Sequence, residues 1–219
     1  MKIISVNVGS LAPIDNGKKG AQSGIFKVPV AGPVNVTAEG LAHDVIADKK
    51  HHGGPDQAVY IYGTADYAWW AAELGTDLVP GQFGENLTIS DLESTRFNIG
   101  DRLLLDSVIL EVTAPRIPCS TLAARMSDSA FVRRYRAAER PGLYCRVIQT
   151  GSVQAGERVG IEPYTGDTVS ILEMFRDYYE PDLSAETLRR YLAAPIAIRA
   201  RVEKEEKLGE LMAVARGVV

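Results

Sequence analysis

The chain has 219 residues and a formal net charge of −4, so it can bury a sizeable core but lacks the lysine and arginine excess of a nucleic-acid-binding face. Its residues are 46% hydrophobic, yet no run approaches the roughly 18 apolar residues of a membrane span, and the N-terminal "MKIISVNVGS" is too short and polar for a signal peptide. Two cysteines cannot hold a four-cysteine iron–sulfur cluster. We therefore expect a cytoplasmic globular protein that binds neither nucleic acid nor membrane.

Residues 1–163 carry strand signals separated by turn signals. Alternation places Ile4, Val6 and Val8 on one face of a first strand, and a later apolar pair of runs predicts a hairpin that turns at residues 106–107. Glycine–acid pairs recur just before apolar strands. This rhythm is typical of a closed or highly curved β-structure.

Helical patterns are predicted at residues 66–74, 120–140, 168–179, 184–193 and 196–213. Pro195 is expected at the start of the last helix. We therefore predict an α+β fold with a β-rich domain over residues 1–163 and a small three-helix unit over residues 164–219. Because short helices bury little surface alone, this unit must pack on the β-domain or on a partner. Its acidic charge disfavours a DNA-binding helix-turn-helix.

Cys119 lies between Pro118 and Ser120, just before a predicted helix. Ser120 or Thr121 is a suitable N-cap, which places the cysteine at a helix N-terminus. There the helix dipole and the positive charge of Arg116 lower the pKa of a thiol and favour a thiolate that binds metal or acts as a nucleophile. A packed core cysteine is the alternative interpretation, and both stay open on these features.

Cys145 provides a contrast within the same chain. It shares strand parity with Leu143 and Val147, so its side chain is expected in the core. A disulfide with Cys119 is not expected in a reducing compartment.

Residues 49–54, Lys-Lys-His-His-Gly-Gly, place positive charge beside two glycines. Such a segment suits a phosphate or another small anion, although an ordinary turn explains the glycines equally well. It matches neither the Walker A nor the dinucleotide-binding pattern. His51 and His52 are neighbours that cannot both bind one metal, and His43 is the last histidine, so a zinc hydrolase is disfavoured.

Asn86 follows a segment with two glycines around Phe83 and precedes an apolar strand. Its amide can donate and accept hydrogen bonds to a heterocyclic ligand. A turn-capping role is the alternative.

Seven fragments lie in a characteristic order: "SVNVG" at 5–9, "GLAHD" at 40–44, "HHGGPDQAVYIY" at 51–62, "FGENLTI" at 83–89, "IGDRLLL" at 99–105, "RIPCSTL" at 116–122 and "GLYCRVIQTGSVQAGERV" at 142–159. Together they resemble the MOSC domain, the family named for the C-terminal domain of molybdenum cofactor sulfurases. The helical tail is similar to that of the bacterial YiiM-like branch, whose better-known member reduces 6-hydroxylaminopurine. The resemblance implies an α+β fold built on a mostly antiparallel β-barrel.

The resemblance also implies that the chain binds the molybdenum cofactor (molybdopterin), with Cys119 supplying a thiolate to molybdenum. The other cofactor-binding candidates are Lys50, His52, Gly53, Gly54, Asn86, Arg116 and Ser120. The chain departs from the family at His43, where the pattern G-L-x-G-D often has glycine. Whether His43 lines the substrate entrance or sits in a relaxed loop stays open.

The implied function is reduction of N-hydroxylated compounds such as hydroxylaminopurines, hydroxylamines or amidoximes. Because the chain lacks nicotinamide and flavin fingerprints and iron–sulfur ligands, this requires a separate electron-donor protein, a flavoprotein or iron–sulfur reductase. The helical tail is a candidate docking surface for it. The alternatives are a non-catalytic carrier or sensor that holds the cofactor, or a sulfur atom on Cys119, and a protein that binds only an anion at residues 49–54. The oligomeric state stays open.

Overall fold

A computed structural model describes residues 1–47 and 53–215 of the chain. The strands are β1 (Ile3–Gly9), β2 (Ala12–Pro13), β3 (Gln22–Ser23), β4 (Lys27–Pro29), β5 (Val34–Thr37), β6 (Gly40–Leu41), β7 (Val59–Gly63), β8 (Leu87–Ile89), β9 (Arg102–Leu104), β10 (Ile109–Ala114), β11 (Leu143–Gln149), β12 (Gly151–Val153) and β13 (Gly160–Glu162). The helices are α1 (Thr64–Leu74), α2 (Ser120–Arg125), α3 (Phe131–Ala138), α4 (Ile171–Asp177), α5 (Ala185–Ala193) and α6 (Ile198–Ala215). The predicted α+β class is confirmed.

Eight strands form one sheet in the order β13-β9-β10-β11-β7-β8-β1-β4. Its pairs are antiparallel except β7–β8, which α1 connects as a parallel crossover. A three-stranded sheet, β12-β5-β6, and the hairpin β2-β3 complete the strands of the described residues.

The predicted closed barrel does not form as a continuous ladder among the described strands. β1 pairs with β4 through Asn7–Gly9, whereas its beginning contacts the chain just before β13. There the Ile3 N–H donates to the Glu157 carbonyl (2.9 Å), and Lys2 forms an isolated bridge with Arg158. The edge of β1 that does not face β8 is therefore divided between β4 and the chain before β13, so β1 and β13 do not form a full ladder.

The predicted face of β1 is wrong. The ladder with β8 shifts register between Ile3 and Ser5, and this irregularity breaks the alternation of side chains. Ile3 and Val6 are therefore buried, whereas Ile4 is 40% exposed. Apolar alternation alone does not reveal a bulge.

The predicted hairpin and helices are confirmed more closely, although α6 begins at Ile198, so Pro195 lies three residues before the helix and does not start it. β9 and β10 pair across the turn at residues 106–107, where the Leu105 N–H donates to the Val108 carbonyl (3.0 Å). The segment 120–140 forms two helices, α2 and α3. Cys145 is buried on β11, opposite Val112, as its parity predicted.

Two apolar cores lie on opposite sides of β7. Val59 and Ile61 belong to a mainly aliphatic core, and the alternate residues Tyr60 and Tyr62 belong to an aromatic core with α1, α2 and α3. In the aromatic core, the rings of Tyr62 and Phe83 stack with their centroids 4.4 Å apart. Both faces of β7 are therefore buried. This packing holds in place the strand that carries Tyr60, a residue of the candidate site.

The C-terminal helices pack on the sheet. Ile171, Met174 and Tyr191 belong to the same core as the strands, which is one of the two arrangements expected from the sequence. The side chains of Ser170 and Ser184 cap α4 and α5 by accepting from the N–H of the third helical residue (3.0 and 3.3 Å). The boundary between residues 163 and 164 stays a prediction. Across the described residues, the helices lack the length and apolar character of a membrane span.

Candidate functional site

A cavity of about 970 Å³ separates the strand-rich part of the chain from α4, α5 and α6. This volume lies at the upper end of the roughly 300–1,000 Å³ of small-molecule sites. The predicted residues among its lining are Gly53, Asn86, Arg116, Cys119 and Ser120. The structure thus brings together candidates that are up to 67 positions apart in the sequence (53 to 120).

One described candidate, Gly54, is exposed and is not part of this lining. Lys50 and His52, with Lys49 and His51, lie outside the described residues.

Cys119 itself occupies the N-cap position of α2. Its backbone is extended (φ −135°, ψ 173°), and its carbonyl accepts from the N–H groups of Leu122 (3.0 Å) and Ala123 (3.2 Å). The expectation that Ser120 or Thr121 caps this helix is wrong, because Ser120 is already helical. The half-buried sulfur of Cys119 is therefore mounted at the cavity wall, on a junction fixed by backbone hydrogen bonds.

Arg116 is a buried cation at the same wall. It is 5% exposed, donates through Nη1 to the Phe83 carbonyl, and its guanidinium lies 4.9 Å from the centroid of the Tyr60 ring. Its Nε is buried without a hydrogen-bond partner among the described residues. No carboxylate of the described chain forms an ion pair with it. A buried charge without a counter-charge is costly, so an anion in the cavity would compensate it.

The charge of Arg116 is coupled electrostatically to its surroundings. Burial lowers the pKa of the guanidinium, but acidic groups near it, which include the Tyr144 hydroxyl and the Cys119 thiol, raise the pKa above its ordinary value. Arg116 therefore stays cationic at every working pH, within electrostatic reach of the Cys119 sulfur.

Lys27 and Asp44 form a second polar cluster of the wall, which the sequence did not reveal as functional. They form a buried ion pair, and Asp44 also accepts from the Gly9 N–H (2.8 Å) and from Nδ2 of Asn86 (2.9 Å). Burial lowers the pKa of the Lys27 ammonium, although Asp44 opposes this shift. "GLAHD" was a quoted fragment that contains Asp44, but nothing in the local sequence of Lys27 pointed to the cavity.

Asn86 is committed to the protein itself through several hydrogen bonds. Its Oδ1 accepts from the Tyr60 N–H (3.1 Å), and its Nδ2 reaches both Asp44 and the Asn7 carbonyl (3.4 Å). These bonds connect three segments of the wall. Direct contact between Asn86 and a ligand stays a prediction.

Bare backbone faces the cavity at two glycines. Gly53 and Gly84 have positive φ (75° and 74°), a conformation that side chains rarely adopt. A Cβ at Gly53 would lie 2.8 Å from Ile46, and one at Gly84 would lie 2.8 Å from Ile25 and 3.5 Å from Arg116. The space that a Cβ would take is thus filled by Ile46 and Ile25, so positive φ and close packing within the wall require glycine at both positions.

The opposite wall comes from the C-terminal helices. Met174, Tyr178 and Leu188 line it with apolar surface. Lys204 is buried there, pairs with Asp177 (2.6 Å), and lies 4.0 Å from the Tyr191 ring centroid. The sequence analysis had not assigned these helices to the site.

The sequence profile of the MOSC domain matches residues 48–160. The chain belongs to the MOSC domain family. It is 34% identical to the protein YflK of Bacillus subtilis over 154 residues, 70% of each chain. It is 32% identical to the protein YiiM of Escherichia coli over 155 residues, 69% of this chain and 68% of that one.

Other MOSC relatives extend the comparison. The chain is 35% identical over 186 residues to a protein of Gibberella moniliformis named reductase, covering 81% of this chain but only 30% of that longer protein. The crystal structure of YiiM from Geobacillus stearothermophilus superposes with a TM-score of 0.77 at 25% identity, over 94% of this chain and 98% of that one. The crystal structure of YiiM from Escherichia coli superposes with a TM-score of 0.73, over 96% of this chain and 94% of that one. The MOSC fold with its helical tail is thus shared along nearly the whole chain.

MOSC domains are associated with molybdenum cofactor binding, and the described residues fit such a group. The cofactor is an anion with a phosphate, which suits the buried charge of Arg116, for which the described residues provide no carboxylate partner. No group of three or more His, Cys, Asp or Glu side chains in the described part of the chain can hold a metal alone. A dithiolene cofactor would bring sulfur donors of its own, and Cys119 at the cavity wall would be the soft protein ligand.

His43 is where this MOSC chain departs from the usual glycine. Its φ is 66°, in the left-handed region, and its side chain is exposed and outside the described cavity lining. The backbone conformation explains why glycine suits this position. The imidazole does not line the cavity.

We expect His43→Gly to stabilise the protein by about 0.5–1 kcal/mol. Relief of left-handed strain, about 1–2 kcal/mol, exceeds the added backbone entropy of glycine, about 0.5–1 kcal/mol. Chemical denaturation measures the change. His43→Ala is the control, because it removes the imidazole but keeps the strain, and should not stabilise. A large change in the KM of a substrate with His43→Ala would instead place His43 at the substrate entrance.

Proposed function

We propose that this MOSC protein binds the molybdenum cofactor in the 970 Å³ cavity and reduces N-hydroxylated compounds to amines, in the cytoplasm. The observation that carries the proposal is that two residues line the same cavity wall. One is Cys119, half-buried at the N-terminus of α2, and the other is Arg116, a buried cation whose Nε has no partner among the described residues. A soft thiolate and an uncompensated positive charge are what a molybdenum dithiolene phosphate requires of a protein.

Each residue has a role in this proposal. Cys119 binds molybdenum, and Arg116 binds an anionic group of the cofactor. Gly53 and Gly84 line the cavity beside these groups. Lys50, His52 and Ser120 are proposed from the sequence as further cofactor contacts, whereas the exposed Gly54 is not part of the described lining. Asn86 fixes the wall through Asp44 and Tyr60.

When bound, the cofactor supplies two-electron oxygen-transfer chemistry. The overall reaction, R–NHOH + 2e⁻ + 2H⁺ → R–NH₂ + H₂O, breaks the N–O bond and releases the oxygen as water. The chain's own contribution is to orient the substrate between the polar wall and the apolar helical wall of Met174, Tyr178 and Leu188. The electrons come from a separate flavoprotein or iron–sulfur reductase. The name of the Gibberella moniliformis relative supports a reductase.

The proposal is tested on protein expressed in cells that make the cofactor. We expect stoichiometric molybdenum by mass spectrometry. With reduced methyl viologen as artificial electron donor, we also expect formation of 6-aminopurine from 6-hydroxylaminopurine, or of the amidine from an amidoxime. Protein from cells that cannot make the cofactor is the control and should form neither product. Molybdenum without turnover on any of these substrates would identify a carrier or sensor, and absence of molybdenum would overturn the proposal.

A further inference from the structure

Asp56 joins two distant parts of the chain. It lies three residues after Gly53, yet its Oδ2 accepts from the N–H of Ile198, the first residue of α6 (2.6 Å). Its Oδ1 forms an ion pair with Nε of Arg146 (3.0 Å). One carboxylate therefore contacts both the start of α6 and the sheet.

The start of α6 depends on such external contacts. The residue before the helix is Ala197, which has no side chain that can cap, and its N–H donates to the Thr113 carbonyl (3.2 Å). Arg146 donates to the carbonyls of Pro195 (3.0 Å) and Ile196 (3.2 Å). The first N–H groups of a helix have no partner within the helix, and a carboxylate is a favourable cap there. In contrast, α4 and α5 are capped by their own serines.

The segment that carries Asp56 is stiff and continues from the cavity wall. Pro55 fixes one backbone dihedral, and the Gln57 N–H donates to the Gly54 carbonyl (3.0 Å). The carbonyl of Asp56 accepts from Oγ1 of Thr113. Gly53 and Gln57 both line the cavity, on either side of Asp56.

α6 itself forms part of the opposite wall. Glu203, Lys204 and Lys207 of this helix line the cavity. At about 1.5 Å of rise per residue, Lys204 lies about 9 Å along the helix from Ile198. A shift at the helix start therefore moves the wall that contains the Lys204–Asp177 pair.

We propose that Asp56 is a positioning residue that links the glycine segment at residues 53–54 to α6, so that cofactor binding at one wall and packing of α6 at the other strengthen each other. The inference rests on the proposed function, since it takes the cofactor to bind at Gly53. By linkage, whatever stabilises the segment around Asp56 also stabilises the start of α6, and the reverse.

The experiment compares hydrogen exchange of full-length protein with and without cofactor, the latter from cells that cannot make it. In the natural sequence we expect the amides at the start of α6 to exchange about tenfold more slowly when the cofactor is bound, within the usual range of coupling between sites. In Asp56→Ala the ratio should fall below about twofold, and the molybdenum content should drop. Each variant is compared with itself, as the ratio of exchange rates without and with cofactor. Faster exchange that results only from the lost hydrogen bond of Ile198 affects both rates and cancels in this ratio.

Ser184→Ala is the matched control, because it removes the cap of α5, a helix without this link. Both substitutions remove a helix cap, but Ser184→Ala should keep its molybdenum and the tenfold ratio at α6. Asp56→Asn keeps an acceptor for Ile198 and provides loaded protein if the alanine variant folds poorly or holds too little cofactor; its ratio should be intermediate.

Two results overturn the inference alone: an unchanged ratio at α6 in both Asp56 variants, or no slowing at α6 in a natural protein that does contain molybdenum. A natural protein without molybdenum overturns the proposed function, and the inference with it. The metal analysis of the same samples distinguishes these cases.

Discussion

Cys119→Ala is expected to remove molybdenum from the purified protein while leaving its fold intact. The sulfur is half-buried at the cavity wall, so its loss should change stability by less than about 1 kcal/mol. Loss of an outer-shell partner already lowers metal affinity by about 10–100-fold, and loss of a direct thiolate ligand should cost at least as much. Metal analysis and thermal unfolding of the same preparation measure both effects.

Cys145→Ala is the matched control, because it removes the same thiol from a residue that packs in the core. Cys145 is fully buried on β11 between Val59 and Val112, so the substitution should cost about 1 kcal/mol through a small cavity. Its molybdenum content should not change. Retention of molybdenum by Cys119→Ala would exclude Cys119 as the ligand, and equal losses in both variants would indicate general destabilisation.

The sequence predicted those parts of the fold that depend on local patterns. The hairpin at 106–107 and the inward side of Cys145 follow from alternation, and α4 and α5 follow from apolar residues at helical spacing. Pairing between distant strands leaves no such pattern. The bulge near Ile3 and the division of the outer edge of β1 between β4 and the chain before β13 depend on tertiary contacts. The predicted face of β1 was therefore wrong, and the closed barrel is not confirmed.

The candidate site also contains some residues that the local sequence reveals and others that only the fold brings together. Cys119 and Arg116 are three residues apart, and their chemistry is visible in one short segment. Lys27 has a partner 17 positions away, Lys204 one 27 positions away, and the contact between Asp56 and Ile198 spans 142 positions. Each of these residues looks like an ordinary surface or turn residue in its own neighbourhood. Only the folded chain shows that Lys27 and Lys204 line opposite walls of one cavity and that Asp56 contacts the start of α6.

Arg116→Met is expected to lower the cofactor content without lowering the stability of the cofactor-free protein. Methionine keeps much of the apolar stem and removes a buried charge that has no carboxylate partner among the described residues. Loss of the hydrogen bond to the Phe83 carbonyl, about 1–3 kcal/mol, is offset by relief of that charge, so stability should change by less than about 2 kcal/mol. Cofactor content should fall about tenfold or more, because a charged hydrogen bond is worth about 1.5–3 kcal/mol.

Arg140→Met is the matched control, which should lower the stability of the protein but not its molybdenum content. Arg140 also lies over an aromatic ring, that of Trp69 at 5.0 Å, but it pairs with the buried carboxylate of Asp66 (2.8 Å) and does not line the described cavity. Its removal leaves Asp66 without its partner and should cost about 3 kcal/mol, while molybdenum stays bound. If Arg116→Met instead destabilised the cofactor-free protein as strongly as Arg140→Met and kept its molybdenum, the charge of Arg116 would serve the fold, and the anion site would have to lie elsewhere in the cavity.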